Sequence, residues 1–382
     1  MEIINYNDAW YEKLVSFLKV NWSEKHVIYN QELFNWQYKI RNTEESSSLL
    51  LVNNGMIVGF LGVIPSLYAV NQRFVNGAGL AMWIVDEKYR NSGIGILLLK
   101  EVEKKSLLTL TLGCNLQVAP MYQRMGYSYS PNLNRYVYPL KLEGYVSLLP
   151  KKIDNSVIYE WIQENLLTQS EMVEPNEFND LKELENLYLN SIAKNFSLSQ
   201  VRDASFWKWR YLENEGYSYI MFGNPTQEGL IVTRLESIHA PENPKLDGLK
   251  VLRVIEIIPS LNTVWNGYID EKLIELIKGV LIWAEGKGCV AADYQLSSNR
   301  LEHILLKVGF RLQNADYTPT ECGIAGLFQP FRNLVNPINL VWKCNNDTEN
   351  SIDINDTYLV KSDGDMDRPN IWPLPERGAK LE

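Results

Sequence analysis

Only three histidines and four cysteines occur in the 382 residues. His26, His239 and His303 show no metal-ligand spacing, and Cys114, Cys289, Cys322 and Cys344 form no Cys-x-x-Cys pair, so neither a metal site nor a disulfide scaffold is expected. The thiols read as free in a reducing cytoplasm. No uninterrupted apolar run approaches the ~20 residues that a bilayer span requires. Residues 1–8 are polar and lack the basic and apolar segments of an export signal. A basic excess is missing as well: 37 Lys and Arg against 46 Asp and Glu give a net charge of −9, which argues against a general nucleic-acid binder. From Gly55 through Val85 there is no Asp, Glu or His at all. What is present, 46% hydrophobic and 22% charged residues, suits a globular chain with enough length for two domains. A cytoplasmic location is expected, and Leu381 and Glu382 read as a vector-encoded remnant outside the fold.

Trp10, Leu14, Phe17 and Leu18 recur at the spacing of an amphipathic helix over residues 10–20, with Asn7 or Asp8 as its cap. A second helix carries Phe34, Trp36 and Tyr38. Residues 48–52, 56–63 and 67–70 read as short strands of an antiparallel meander, broken by Asn53-Asn54-Gly55 and by Pro65. A strand over 79–85 is followed by a helix over 94–104 whose Ile94, Leu97, Leu98 and Val102 share one face.

The pattern Leu33-Phe34-Asn35-Trp36-Gln37-Tyr38 returns as Phe206-Trp207-Lys208-Trp209-Arg210-Tyr211, an offset of 173 residues. Ile84-Val85-Asp86 meets Ile257-Ile258-Pro259 at the same offset, and Gly126-Tyr127 meets Gly309-Phe310 about ten residues later than that offset. Two copies of one α/β fold are therefore expected: a first domain over 1–142, a connector over 143–173 containing Pro150, Lys151, Lys152 and a helix over 158–166, a second domain over 174–345, and a tail over 346–380.

The segment Arg90-Asn91-Ser92-Gly93-Ile94-Gly95 follows an apolar strand and opens an amphipathic helix. Glycines there allow close approach of a pyrophosphate to backbone amides, and the helix N-terminus adds roughly half a positive charge. The plain alternative is an ordinary strand-to-helix turn. This segment resembles the phosphate loop of the GNAT superfamily of acyl-CoA N-acyltransferases, Q/R-x-x-G-x-G/A after the fourth strand. Asn115, Tyr122 and Gly126-Tyr127 resemble the family's second signature, an asparagine seven residues before a tyrosine and a Gly-aromatic pair four after it. The resemblance implies two tandem domains, each a mostly antiparallel sheet with a V-shaped splay flanked by helices. It implies that Val85, Arg90, Asn91, Ser92, Gly93, Ile94, Gly95 and Ile96 hold coenzyme A, that Asn115 and Tyr122 meet its pantetheine arm, and that Tyr122 protonates the departing thiolate. Acyl-CoA would be a cosubstrate, with no metal. A core tyrosine is the alternative for Tyr122.

Many family members place a glutamate base in the fourth strand; this chain has none there. At the equivalent strand of the second copy stands Glu256, either a base or amine anchor or an edge-strand glutamate facing water. The second copy has Pro259-Ser260-Leu261-Asn262-Thr263-Val264 and Leu305 where the first has its glycine loop and Tyr122, so one coenzyme site per chain is expected. For the acceptor, Trp36, Tyr38, Trp207 and Trp209 could stack a base or sugar beside Arg210, or form core. Asp363 and Asp365, alternating with Asp367, could grip an ammonium or hydroxyls, or form a solvated acidic turn. Tandem chains of this size resemble bacterial enzymes that N-acylate nucleotide-linked amino sugars for surface polysaccharides such as the O-antigen of lipopolysaccharide. That resemblance implies a dTDP-linked 3-amino-3,6-dideoxyhexose as acceptor and acetyl-CoA or 3-hydroxybutanoyl-CoA as donor. Acylation of an aminoglycoside, a peptidoglycan amine or a cysteinyl pseudodisaccharide, or a non-catalytic acyl-CoA sensor, are the alternatives.

Overall fold

The computed structural model describes residues 1–148, 155–165, 170–178, 180–214, 216–241, 243–261, 263, 270–313, 338–345 and 352–368. Cys322, the residues 150–152 of the connector and the terminal remnant lie outside them. Among the described residues no helix is long and apolar enough to cross a membrane.

The first sheet grows from a meander of β1 (Glu2–Asn5), β2 (Leu49–Asn53), β3 (Met56–Val70), β4 (Arg73–Val85) and β5 (Leu108–Leu112). Almost every residue of β3 is buried because both of its faces are covered. Phe60 and Ile64 pack under α1 (Tyr11–Asn21) and α2 (Gln31–Tyr38). Val58, Leu61 and Val63 pack under α3 (Ile94–Lys105) and α4 (Ala119–Arg124).

Two short strands expected on either side of Pro65 are one continuous strand. β2 pairs with β3 only as far as Leu61, and the short β8 (Leu198–Gln200) begins only at Tyr68, so on one side of Pro65 there is no neighbour to need an N–H. Nor does β4 begin at Gly79. A two-residue turn, with Asn71 and Gln72 both at positive φ, starts it at Arg73.

Further along the chain come β6 (Ser128–Ser130), β7 (Asn134–Pro139), β9 (Ile220–Phe222), β10 (Leu230–Ser237), β11 (Lys250–Ile258), β12 (Cys289–Leu296), β13 (Arg311–Leu312), β14 (Leu340–Cys344) and β15 (Thr357–Tyr358). The second sheet runs β13-β7-β12-β11-β10-β9, and the first runs β1-β2-β3-β4-β5-β14-β6, with β8 and β15 attached beside β3. The halves thus exchange strands: β7 comes from the first copy and β14 from the second. Boundaries at 142 and 174 separate the copies along the chain but not in space.

The repeat is structural. β4 and β11 end at matched positions, Val85 and Ile258. Gly126 and Gly309 both take positive φ directly after matched helices, where only glycine is unstrained. Trp36 and Trp209 meet each other at the junction, their rings stacked at 5.2 Å, and each indole N–H donates to the other's backbone carbonyl at 3.1 and 2.9 Å.

Candidate active site

β4 and β5 run parallel but pair only from Gly77 to Gly79 with Leu108 to Leu110. Beyond that the strands part, so Leu80 to Val85 of β4 face an open V. At the top of the V stands the N-terminus of α3. Its cap residue is Gly93, at φ +80°, with no side-chain hydrogen bond to the first turn and no acidic residue in it. The first amides of the helix therefore have no intrahelical partner and no carboxylate competing for them. Gly95 is required for a different reason: a Cβ there would lie 3.0 Å from Val85 Cγ2 and 3.3 Å from Trp83 Nε1. That indole N–H is buried with no hydrogen-bond partner, an orphan donor beside the glycine loop.

The expected coenzyme residues divide into four groups. Gly93, Ile94 and Gly95 present the helix start. Arg90, Ser92 and Val85 shape it: the Arg90 guanidinium donates to the carbonyls of Val85 (3.1 Å) and Asn21 (3.2 Å), and Ser92 Oγ donates to the Tyr89 carbonyl at 2.6 Å. Asn91 accommodates positive φ. Ile96 is excluded as an amide donor, because its N–H already donates to the Gly93 carbonyl at 3.0 Å.

On the other wall of the V, exposed Asn115 accepts the Gln117 N–H through Oδ1 at 2.8 Å, and its carbonyl receives the N–H groups of Val118 and Ala119. This turn sets the start of α4 and hence the place of Tyr122. The Tyr122 ring lies 5.5 Å from Trp83 and 4.9 Å from Tyr127, and the residue is 2% exposed. Burial, followed by the nearby Cys114 and Glu103, pushes the Tyr122 hydroxyl well above the usual phenol range. Burial also pushes the Cys114 thiol up to about 11. Both side chains are neutral proton carriers at any physiological pH. A cavity of about 300 Å³ lies at the closed end of β4, lined by Asn76, Gly77, Ala78, Arg41 and Lys105. It is separate from the V.

Glu256 is neither a free base nor a water-facing edge residue. It is 0% exposed, on a strand flanked by β10 and β12. Oε1 receives Arg202 Nε at 3.1 Å, Arg202 Nη2 at 3.0 Å and the Tyr211 hydroxyl at 2.7 Å, and Oε2 receives the Tyr358 hydroxyl at 2.7 Å. A carboxylate so engaged in a dry interior is a structural anchor.

The acidic tail is not a solvated turn either. Asp363 pairs with Arg202 at 2.8 Å, and Asp367 pairs with Arg234 at 2.8 Å while receiving the Tyr219 hydroxyl at 2.6 Å. Trp36 and Trp209 stack on each other, with the Arg210 guanidinium 5.2 and 5.6 Å from their rings, so they are packing residues; Tyr38 and Trp207 are fully buried. Arg210 itself is buried and donates to the Asp367 carbonyl at 3.3 Å. Trp83, Tyr68, Arg202 and Tyr358 were not singled out by the sequence. An isolated arginine or a strand aromatic carries no local signal, and only the absence of any acid from Gly55 to Val85 marked this strand pair as unusual.

Among solved structures, a GCN5-related N-acetyltransferase from Anabaena variabilis has TM-score 0.56 at 11% identity, over 90% of this chain and 73% of that one. An N-myristoyltransferase of Saccharomyces cerevisiae with bound myristoyl-CoA has TM-score 0.55 at 15% identity, over 93% and 87%. A GCN5-related N-acetyltransferase from Kribbella flavida has TM-score 0.51 at 15% identity, over 80% and 66%. These are likenesses of fold, and they extend over both halves. No curated protein sequence matches the chain. Residues 7–127 match the acetyltransferase (GNAT) family model. They are an acetyltransferase (GNAT) domain, and the chain that carries it is an acyl-CoA-dependent N-acyltransferase.

Proposed function

We propose that the chain acylates the amino group of a nucleotide-linked amino sugar, a dTDP-linked 3-amino-3,6-dideoxyhexose, from acetyl-CoA or a larger donor such as 3-hydroxybutanoyl-CoA. The observation that carries the donor half of this reading is the open V, with an uncapped helix start at its top and the orphan Trp83 N–H beside it. These groups fit a pyrophosphate and a pantetheine arm: Gly93, Ile94 and Gly95 offer amides to the diphosphate, and the unpaired edge of β4 runs beside the arm. The acceptor half rests on the resemblance of tandem chains of this size to enzymes that N-acylate nucleotide-linked amino sugars; the hydroxyls of Tyr38 and Tyr68 lie buried in the core and are not part of an open acceptor wall.

In the proposed reaction the free amine attacks the thioester carbonyl, the C–N bond forms, and the C–S bond breaks as the tetrahedral intermediate collapses. The departing thiolate takes the Tyr122 proton, the amine's proton passes to water, and Tyr122 is reprotonated from solvent. Holding donor and acceptor across one gap supplies the orientation.

Tyr122→Phe tests this. Turnover should fall about 100-fold, with coenzyme A affinity by calorimetry nearly unchanged. Equal loss of both would make Tyr122 a packing residue. Product analysis with a dTDP-amino sugar, an aminoglycoside and a peptidoglycan amine tests the acceptor: exclusive turnover of either of the latter two overturns the sugar-nucleotide reading, and acyl-CoA binding without turnover of any amine overturns transfer.

A further inference from the structure

Arg202, Arg234 and Arg253 are buried and matched by carboxylates: Arg202 meets Glu256 and Asp363, Arg234 meets Glu236 and Asp367, and Arg253 meets Glu236 and Asp293. In the C-terminal strap, residues 357–368, Arg368 and Asp365 answer each other at 2.5 Å. Arg41 is held in another way. Its guanidinium lies 4.8 Å from the ring of Trp209 and 5.5 Å from that of Phe206, and its side chain is 20% exposed. Its ion-pair partner among the described residues is Asp203 Oδ1 at 3.6 Å, beyond hydrogen-bond distance, and that oxygen already accepts the Phe206 N–H at 2.6 Å. Among the described residues the Arg41 guanidinium makes no hydrogen bond. Burial holds it below its usual range, and Asp203 only partly offsets this. A guanidinium stacked on aromatic rings has a fixed plane and keeps its edge N–H groups for an anion.

Arg41 lines the cavity of about 300 Å³ at the closed end of β4. The cavity sits where the edge of β3 is uncovered: β2 stops pairing at Leu61 and β8 begins only at Tyr68, with Pro65 between them. A second cation lines it from another element. Lys105 ends α3, is 58% exposed, and has only a surface pair with Glu101 at 3.4 Å. Ser47, Ser66 and Ser106 add hydroxyls to the lining, and Asn5 and Asn76 add carboxamides. Ser66 Oγ accepts the Gln200 side-chain N–H at 2.7 Å, which leaves the hydroxyl's own proton to donate. None of the lining residues is an Asp or Glu.

We propose that this cavity is a second ligand site, separate from the V, which takes a small organic phosphate, with Arg41 as its principal cation and Lys105 as the other. A phosphate ester presents three terminal oxygens to the two cations and the hydroxyls, where a carboxylate presents two. The volume suits a molecule of metabolite size. Nothing in this assignment depends on the acyl-transfer reading.

The test uses the full chain with saturating acetyl-CoA, so that the V is occupied. Calorimetric titration with glycerol 3-phosphate at constant ionic strength should show one molecule bound per chain, and inorganic phosphate should compete with it. Arg41→Gln should weaken it at least about tenfold and Lys105→Gln several-fold. Lys104→Gln, on the same helix end but outside the lining, should change nothing. Ser47→Asp, which adds a carboxylate to the lining without removing a packed side chain, should weaken binding about as much as Arg41→Gln while the melting temperature stays near the parent value; it decides the matter if Arg41→Gln does not fold. Absence of binding to the parent protein, equal weakening by Lys104→Gln, or binding seen only without acetyl-CoA would each overturn the site. Glycerate bound as tightly as glycerol 3-phosphate, or no competition by inorganic phosphate, would overturn the choice of ligand.

Discussion

Two helices of this molecule begin at equivalent places in the repeated fold and do opposite things. α3 starts at a glycine with positive φ, with no capping side chain and no acid in its first turn. The helix Glu271–Gly286 starts at Asp270, whose Oδ1 accepts the Leu273 N–H at 3.1 Å, and Glu271 follows in the first turn. Both helix starts carry a partial positive charge; in one no side chain of the first turn offsets it, and in the other it is neutralised by the chain itself. The strands in front of them show the same division. Past Gly79, β4 has an open neighbour position, whereas past Val254 the end of β11 is occupied by the strap, with the Tyr358 hydroxyl donating to Glu256 and to the Ile257 carbonyl. Duplication thus left one open cleft, the one the acyl-transfer proposal assigns to the donor, and one filled cleft that fixes the partner half.

If the filled cleft is structural, its central pair should matter most to stability. Arg202→Met leaves Glu256 buried without its cation and should cost about 3–5 kcal/mol in denaturant melts, with coenzyme affinity retained in the folded fraction. Arg90→Met, the cation at the open cleft, should cost less than about 1 kcal/mol, since its guanidinium binds exposed backbone carbonyls. Comparable losses for the two would erase the distinction.

The next effect is on binding. Gly93→Asp gives α3 the kind of cap the second copy already has and should weaken acyl-CoA about 10- to 100-fold, because a carboxylate then competes with the pyrophosphate. A Ser260→Asp change in the other loop should leave affinity unaltered.

The junction between the halves should respond more modestly. In a double-mutant cycle, Trp36→Ala and Trp209→Ala should couple by about 1 kcal/mol from their stack and reciprocal hydrogen bonds. Full additivity would mean that the pair does not join the halves.

The smallest effect concerns acid. Burial, and then Arg368 of the strap, depress the His26 imidazole to about 3. Its neutral Nδ1 accepts the Ile28 N–H at 3.2 Å, which a protonated ring cannot do. Because the folded pKa lies below the unfolded one, this contribution is fully present above about pH 6.5 and is lost as the pH falls through the window toward 3. His26→Asn, which retains an acceptor but does not titrate, should reduce the stability lost between pH 7 and pH 5 by about 1 kcal/mol. An unchanged pH profile would remove His26 from the account.

Much of the fold was legible because duplication leaves local marks. The tryptophans at an offset of 173, the matched strand ends and the two glycines at 126 and 309 are short-range patterns that survive divergence. The strand, glycine turn and helix from β4 to α3 were legible because they are contiguous in sequence. What could not be read was whatever depends on a partner distant in sequence. β7 and β14 look like ordinary strands of their own copies, and nothing local shows that they are exchanged. Glu256 among apolar neighbours gave no sign of Arg202, and the alternation of Asp363, Asp365 and Asp367 gave none of the arginines that bury two of them. Pro65 misled because its cost depends on whether an adjacent strand exists at that point, which is a property of the sheet.

The most direct test of the division between the halves is calorimetric titration of the full chain with acetyl-CoA, alongside Gly93→Asp and Ser260→Asp. One molecule bound per chain, weakened by the first change and untouched by the second, is the predicted result; two sites, or affinity that follows Ser260 instead, would contradict it.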